Sequence, residues 1–190
     1  MIKQDHPYYF LAPLFKLEGA VVHLSKYIYR PDTLSDEREL IVIPALDLTS
    51  SWVERTIQSL HPGQELAFHS NVVINGETLH IPMIDLSTQD PIDGRIRDRM
   101  WHFLPKAVMS NLSLFRSGRS FHAYSKTLLH EEEWVQFMGR ILLITAKNKK
   151  EEIIDSRWVG HRLVAGFSSL RWSNNTQQYL SIPSKVNISI

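Results

Sequence analysis

The sequence predicts an α+β domain in which helices pack on one face of a largely antiparallel sheet, and three observations predict it. Asn75-Gly76 sits between Asn71-Val72-Val73-Ile74 and Thr78-Leu79-His80-Ile81, where it supplies the two positive-φ residues of a type I′ hairpin turn. Apolar residues recur at helical spacing twice, as Ile92, Ile96, Met100 and Phe103, and as Trp134, Phe137, Met138, Ile141 and Leu142. A second strand pair, Leu112-Ser113-Leu114-Phe115 and Phe121-His122-Ala123-Tyr124, flanks a tight Ser117-Gly118-Arg119-Ser120 turn. Hairpin, helix, hairpin, helix and strand would give one sheet face to the helices and leave the other open to a ligand.

The N-terminal third fits the same plan. Tyr8-Tyr9-Phe10-Leu11-Ala12 and Ala20-Val21-Val22-His23-Leu24 are apolar, and Glu39–Pro44 reads as a buried strand. Ser51 and Glu54 have the spacing of a capping box ahead of a short helix over 51–60. His61-Pro62-Gly63 marks an internal boundary, with residues 1–62 an N-terminal α/β unit of the same domain and 63–190 the core. The hairpin's second strand is expected to run directly to Asp85. Asp90-Pro91 reads as the cap and first turn of the next helix. Lys147–Glu152 reads as a solvated loop, and a C-terminal apolar piece ends at Ile190.

Composition narrows the function classes. At 190 residues, 43% hydrophobic and 22% charged, the chain has the profile of a soluble globular domain. It has no apolar run of about 18 residues and no secretory leader pattern, so the expectation is a cytoplasmic protein without a membrane partner. With no cysteine, disulfides and thiolate metal sites are excluded. A net charge of +1 argues against coating nucleic acid by bulk charge and leaves room for a local basic groove.

The chemistry concentrates in three places. Asp85 ends the apolar run His80-Ile81-Pro82-Met83-Ile84, and Asp155 ends Ile153-Ile154. A carboxylate at a strand end can ligate Mg²⁺ or Mn²⁺, although either aspartate could equally cap a following turn or helix. Between them lies Ser117-Gly118-Arg119-Ser120-Phe121-His122. Gly118 permits close backbone approach to a ligand, Arg119 suits a forked contact with phosphate, and His122 shares a strand face with Ser120 and Tyr124. Trp172, beside Arg171, could serve the core or stack a base. The other histidines lack zinc spacing, and there is no Walker loop or dinucleotide fingerprint.

The ordered set Asp85, Ser117–His122, Ile154-Asp155, His161-Arg162-Leu163 and Leu170-Arg171-Trp172-Ser173 resembles the archaeo-eukaryotic primase superfamily, which includes the primase-polymerases. A compact bacterial branch is most similar, over roughly residues 66–185. The resemblance implies an RNA-recognition-motif-type antiparallel sheet with packed helices. It implies a nucleotidyltransferase that makes or extends primers on a template by two-metal chemistry with Mg²⁺ or Mn²⁺. On that resemblance Asp85 and Asp155 are the catalytic metal ligands, while Ser117, Arg119, His122, Arg162 and Arg171 bind nucleotide. Nucleoside triphosphates, single-stranded nucleic acid and a helicase-like or polymerase-like protein are the implied partners.

One position departs from the family's pattern. Where the first motif has Asp-x-Asp, this chain has Asp85-Leu86-Ser87, and a serine hydroxyl is a neutral, weaker ligand. The alternative reading is therefore a catalytically reduced protein of the same fold that binds nucleotide or single-stranded nucleic acid within a larger complex. An unrelated α+β scaffold matching by chance is the third.

Overall fold

The computed structural model describes residues 1–28, 30, 37–89, 92–146, 152–176 and 178–186. The Asp90-Pro91 cap, most of the Lys147–Glu152 loop and the chain end at Ile190 lie outside them. Helices and two antiparallel sheets make an α+β architecture. Among the described residues no helix is long and apolar enough to cross a membrane.

The first sheet has strand order β2 (Arg38–Pro44), β1 (Val21–Ile28), β3 (Gln64–Ile74) and β4 (Glu77–His80), with β8 (Ser169–Arg171) also paired to β3. Asn75 and Gly76 carry φ of 52° and 81°, so the β3–β4 turn forms as the sequence predicts. The sheet runs across position 62, because β1 pairs with β3 from Val21↔Val73 to Ile28↔Gln64. Helices α1 (Pro7–Leu11) and α2 (Ser50–Gln58) contribute Leu11 and Val53 to its core with Leu24, Phe68 and Val72. The Ser51–Glu54 capping box does not form. Thr49 caps α2 by accepting from Trp52 N at 3.1 Å, and Glu54 Oε1 instead accepts from Ile2 N at 2.9 Å.

The hairpin's second strand does not continue to Asp85. At Ile81-Pro82 the chain leaves the first sheet, and β5 (Met83–Leu86) joins a second sheet ordered β5, β7 (Phe121–Ser125), β6 (Leu112–Arg116) and β9 (Ser184–Lys185). Proline has no N–H to extend the ladder with β3, while its carbonyl accepts from Ser125 N at 3.0 Å. Leu86 also bridges Ile154 antiparallel on the side of β5 away from β7.

Alternation along β5 and β7 sends Ile84, Leu86, Phe121 and Ala123 into a core shared with α3 (Gly94–Phe103), α4 (Lys106–Ser110), α5 (Glu131–Leu142) and α6 (Ser156–Ala165). Trp134, Phe137, Met138 and Ile141 of α5 are all buried there, as their spacing requires. α3 is capped by Asp93, which accepts from Ile96 N at 2.9 Å, so Ile92 precedes the helix. The opposite face carries Met83, Phe115 and Tyr124, and it is not open to a ligand along its length. These three pack into the first sheet's core. Only the end bearing Asp85 and His122 opens, into a cavity between the sheets.

Trp172 belongs to that core. It is fully buried and stacks on Phe68 with ring centroids 4.4 Å apart and planes at 11°. The base-stacking option for Trp172 is thereby closed. His6 Nε2 bonds the Trp172 carbonyl at 2.8 Å, tying the N-terminus to the end of β8. Trp172→Ala should destabilise the fold by about 3–5 kcal/mol, read as a lowered urea midpoint.

Candidate functional site

Asp85, His122 and Asp155 are brought side by side by strand register. Asp85 and His122 are Cα partners across β5 and β7, and Asp155 N donates to the Asp85 carbonyl at 3.1 Å on the other side. Cross-strand partners project to the same face, so one rung of the sheet carries all three side chains. All three line a cavity of about 650 Å³, within the range of small-ligand sites.

The Ser-Gly-Arg turn closes one side. Ser117 N donates to the Ser120 carbonyl at 3.0 Å, and the two hydroxyls lie 3.2 Å apart. Gly118 has φ +117°, and a Cβ there would stand 3.4 Å from Leu180 N, so glycine lets the turn lie against the C-terminal segment. Arg119 is exposed at the rim and makes no hydrogen bond or ion pair with the described residues.

The two other sequence-predicted arginines are interior. Arg171 on β8 is buried. It donates to the carbonyls of Ser117, Ser173 and Ser181, and its guanidinium lies 3.9 Å from the Tyr179 ring centroid. Arg162 on α6 is buried too, donating from Nη1 to Ser169 Oγ at 2.9 Å. Both still line the cavity.

Electrostatics single out Asp85. Burial, reinforced by the neighbouring Asp155 charge and partly offset by Arg171, pushes its carboxyl up to about 8. Burial and the Arg171 charge hold His122 well below the ordinary imidazole value. His122 is therefore neutral, and its Nε2 stands 4.0 Å from Asp85 Oδ1, beyond hydrogen-bond length. Its Nδ1 is buried and has no partner among the described residues. Asp155 has two tasks. Its Oδ1 accepts from Trp158 N at 2.8 Å, capping α6, while the residue also lines the cavity.

Among the described residues no group of three or more His, Cys, Asp or Glu is arranged to hold a metal. Ser87 donates its hydroxyl to the Glu152 carbonyl at 2.7 Å and does not line the cavity. What is present is a carboxylate pair, one member raised by burial and further by the charge of the other. Mg²⁺ and Mn²⁺ bind such pairs when substrate phosphates complete the shell. The residues fit one ion in company with a phosphate ligand.

Several cavity residues carry no signal that the sequence reading assigned to a site, among them Tyr27, Arg38, Arg157, Trp158, His161 and Tyr179. Arg38 on β2 and Tyr27 on β1 are cross-strand partners in the first sheet, with the guanidinium 4.6 Å from the ring centroid. Arg157 and His161 lie one turn apart on α6. The helical spacing of 157, 158, 161 and 162 after Asp155 was a usable signal for the second pair. Six arginines meet two carboxylates around the cavity, so a chain of net charge +1 does hold a local basic site.

The family model for archaeo-eukaryotic primase 1D-like (AEP-like) proteins matches residues 44–184, and the chain belongs to that family. No curated protein and no solved structure matches it significantly.

The raised Asp85 carboxyl has a stability consequence. The folded protein keeps a proton up to about pH 8 that the unfolded chain releases near pH 4, so stability falls as pH rises through that window. Histidines held low, His6 and His80 at about 4 and His122 well below its ordinary value, act oppositely, and only below about pH 6.5. Between pH 6.5 and 8 wild-type stability should therefore drop by about 1–2 kcal/mol, a drop absent in Asp85→Asn. Urea midpoints at four pH values check this.

Proposed function

We propose that the chain is a primase-like nucleotidyltransferase that binds a nucleoside triphosphate and a divalent cation in the cavity between its sheets and extends a strand on a single-stranded nucleic-acid template. The observation that carries the reading is the single rung holding Asp85, His122 and Asp155, three residues from distant parts of the chain, in a cavity rich in arginine. The finer fold reading has support as well. The order β5, α3, β6, β7, α5 and the Ile154 bridge follows a β-α-β-β-α-β pattern, with Ile154, β5, β7 and β6 adjacent in that order, as in an RNA-recognition-motif-type sheet.

In this reading Asp85 and Asp155 would hold Mg²⁺ or Mn²⁺, and Asp85 must give up its proton to do so. When bound, the cation supplies Lewis-acid activation of a 3′-hydroxyl and charge stabilisation of the leaving pyrophosphate. Neutral, buried His122 would offer its Nε2 to a phosphate oxygen or bound water. Arg119 approaches from the rim with a forked cation suited to phosphate. Arg171 acts chiefly by field and by fixing the walls, since its donors are engaged by carbonyls inside the protein, and Arg162 is anchored through Nη1 to Ser169 Oγ. Near-neutral overall charge supports a helicase-like or polymerase-like partner supplying part of the template channel.

A second reading has its own observation. With the Ser87 hydroxyl turned to the Glu152 carbonyl, the third carboxylate of the family's site is not replaced by a nearby ligand, which favours a nucleotide-binding protein with reduced catalysis. Incubation with Mn²⁺, labelled ribo- and deoxyribonucleotides and primed or unprimed single-stranded templates separates the two. The enzyme reading expects products that fall at least about a hundredfold in Asp85→Asn and His122→Ala. Nucleotide binding weakened by His122→Ala without any product would move the conclusion to the second reading.

A further inference from the structure

We propose that Trp158 is the nucleobase platform of the cavity, the ring on which the base of a bound nucleoside triphosphate stacks; this rests on the nucleotide-site reading above. Three large aromatic side chains, Tyr27, Trp158 and Tyr179, line the cavity. Tyr27 already carries the Arg38 guanidinium at 4.6 Å, and Tyr179 carries that of Arg171 at 3.9 Å. No ring or guanidinium stacks on Trp158 among the described residues. It is half-buried, on a wall where the other rings are engaged.

Its position relative to the carboxylates makes the assignment specific. Trp158 stands one helical turn after Asp155, and its backbone N–H holds Asp155 Oδ1 at 2.8 Å. Asp155 is the N-cap of α6 and accepts from the N–H of Trp158, so the carboxylate and the residue bearing the ring meet at the start of the helix. Indole Nε1 donates to the Ser169 carbonyl at 3.0 Å, which anchors the ring to β8. A ring fixed at both its backbone and its nitrogen loses little entropy on taking a ligand. Arg157 on the same helix and Arg119 at the rim bring cations to the phosphate end of the same ligand, and His161 adds a ring nitrogen beside them. Stacking accepts any base, so the site takes nucleoside triphosphates as a class.

Titration of the full chain in Mn²⁺ with ATP and with inorganic tripolyphosphate tests the assignment. Wild type should bind ATP about tenfold or more tightly than tripolyphosphate. Trp158→Leu should erase that advantage while keeping its tripolyphosphate affinity, and Trp158→Phe should keep most of it. ATP should also quench tryptophan emission in wild type and not in Trp158→Phe, a readout that stands even if the leucine variant fails to fold. Equal binding of the two ligands by wild type, an ATP advantage that persists in Trp158→Leu, or quenching that persists in Trp158→Phe overturns the platform assignment and leaves the cavity's phosphate chemistry standing. Failure of wild type to bind either ligand removes the nucleotide-site reading itself, and the platform with it.

Discussion

The buried guanidinium of Arg171 is the constraint on which the site depends. A cation removed from water is tolerated only when its donors and charge are met inside the protein. Arg171 meets them with carbonyls from the Ser117 turn, from Ser173 after β8 and from Ser181 in the C-terminal segment, and with the Tyr179 ring. Those partners belong to both sheets and to the segment that lies against Gly118. One side chain thus fixes the separation of the cavity walls. Its charge also reaches the chemistry, opposing the rise in the Asp85 carboxyl and adding to the burial that keeps His122 neutral.

The second consequence of the architecture is enclosure. A single sheet with helices on one face would leave its other face in water, where Asp85 would titrate as an ordinary carboxylate. Here the chain crosses from one sheet to the other at Pro82, and the first sheet covers Met83, Phe115 and Tyr124. Asp85 and His122 are left at the edge of that covered zone, where desolvation dominates both their titrations. A raised carboxyl beside a second carboxylate favours a group that arrives with positive charge. The surrounding arginines favour one that brings negative charge. A cation carried with phosphate satisfies both.

Local features were legible in the sequence and long-range ones were not. Asn75-Gly76 specifies its turn because few residues tolerate positive φ, and α5 declares itself through four buried residues at helical spacing. The Ser51 cap lost to Thr49 because adjacent hydroxyl residues offer equivalent caps and tertiary contacts decide between them; Glu54 is taken by Ile2 N. Asp85, the Ser117 turn, His122 and Asp155 were all marked by type and order, and the structure brings them to one cavity. Arg38 and Tyr27 were invisible because their place depends on β1 pairing with β3 and β8 pairing with β3 across about 100 residues, which no local pattern encodes. Trp172 and Trp158 look alike in the sequence. Just past β8 the Trp172 N–H donates to the Leu66 carbonyl and the ring is buried against Phe68, while the helix after Asp155 brings the other to the cavity wall.

The most direct test of the account is Mn²⁺ binding followed by electron paramagnetic resonance, with and without a nucleoside triphosphate, in wild type, Asp85→Asn and Asp155→Asn. The account predicts one bound ion per chain, dependent on the triphosphate and lost equally in both variants. Absence of binding in wild type, or binding that survives both substitutions, would contradict it.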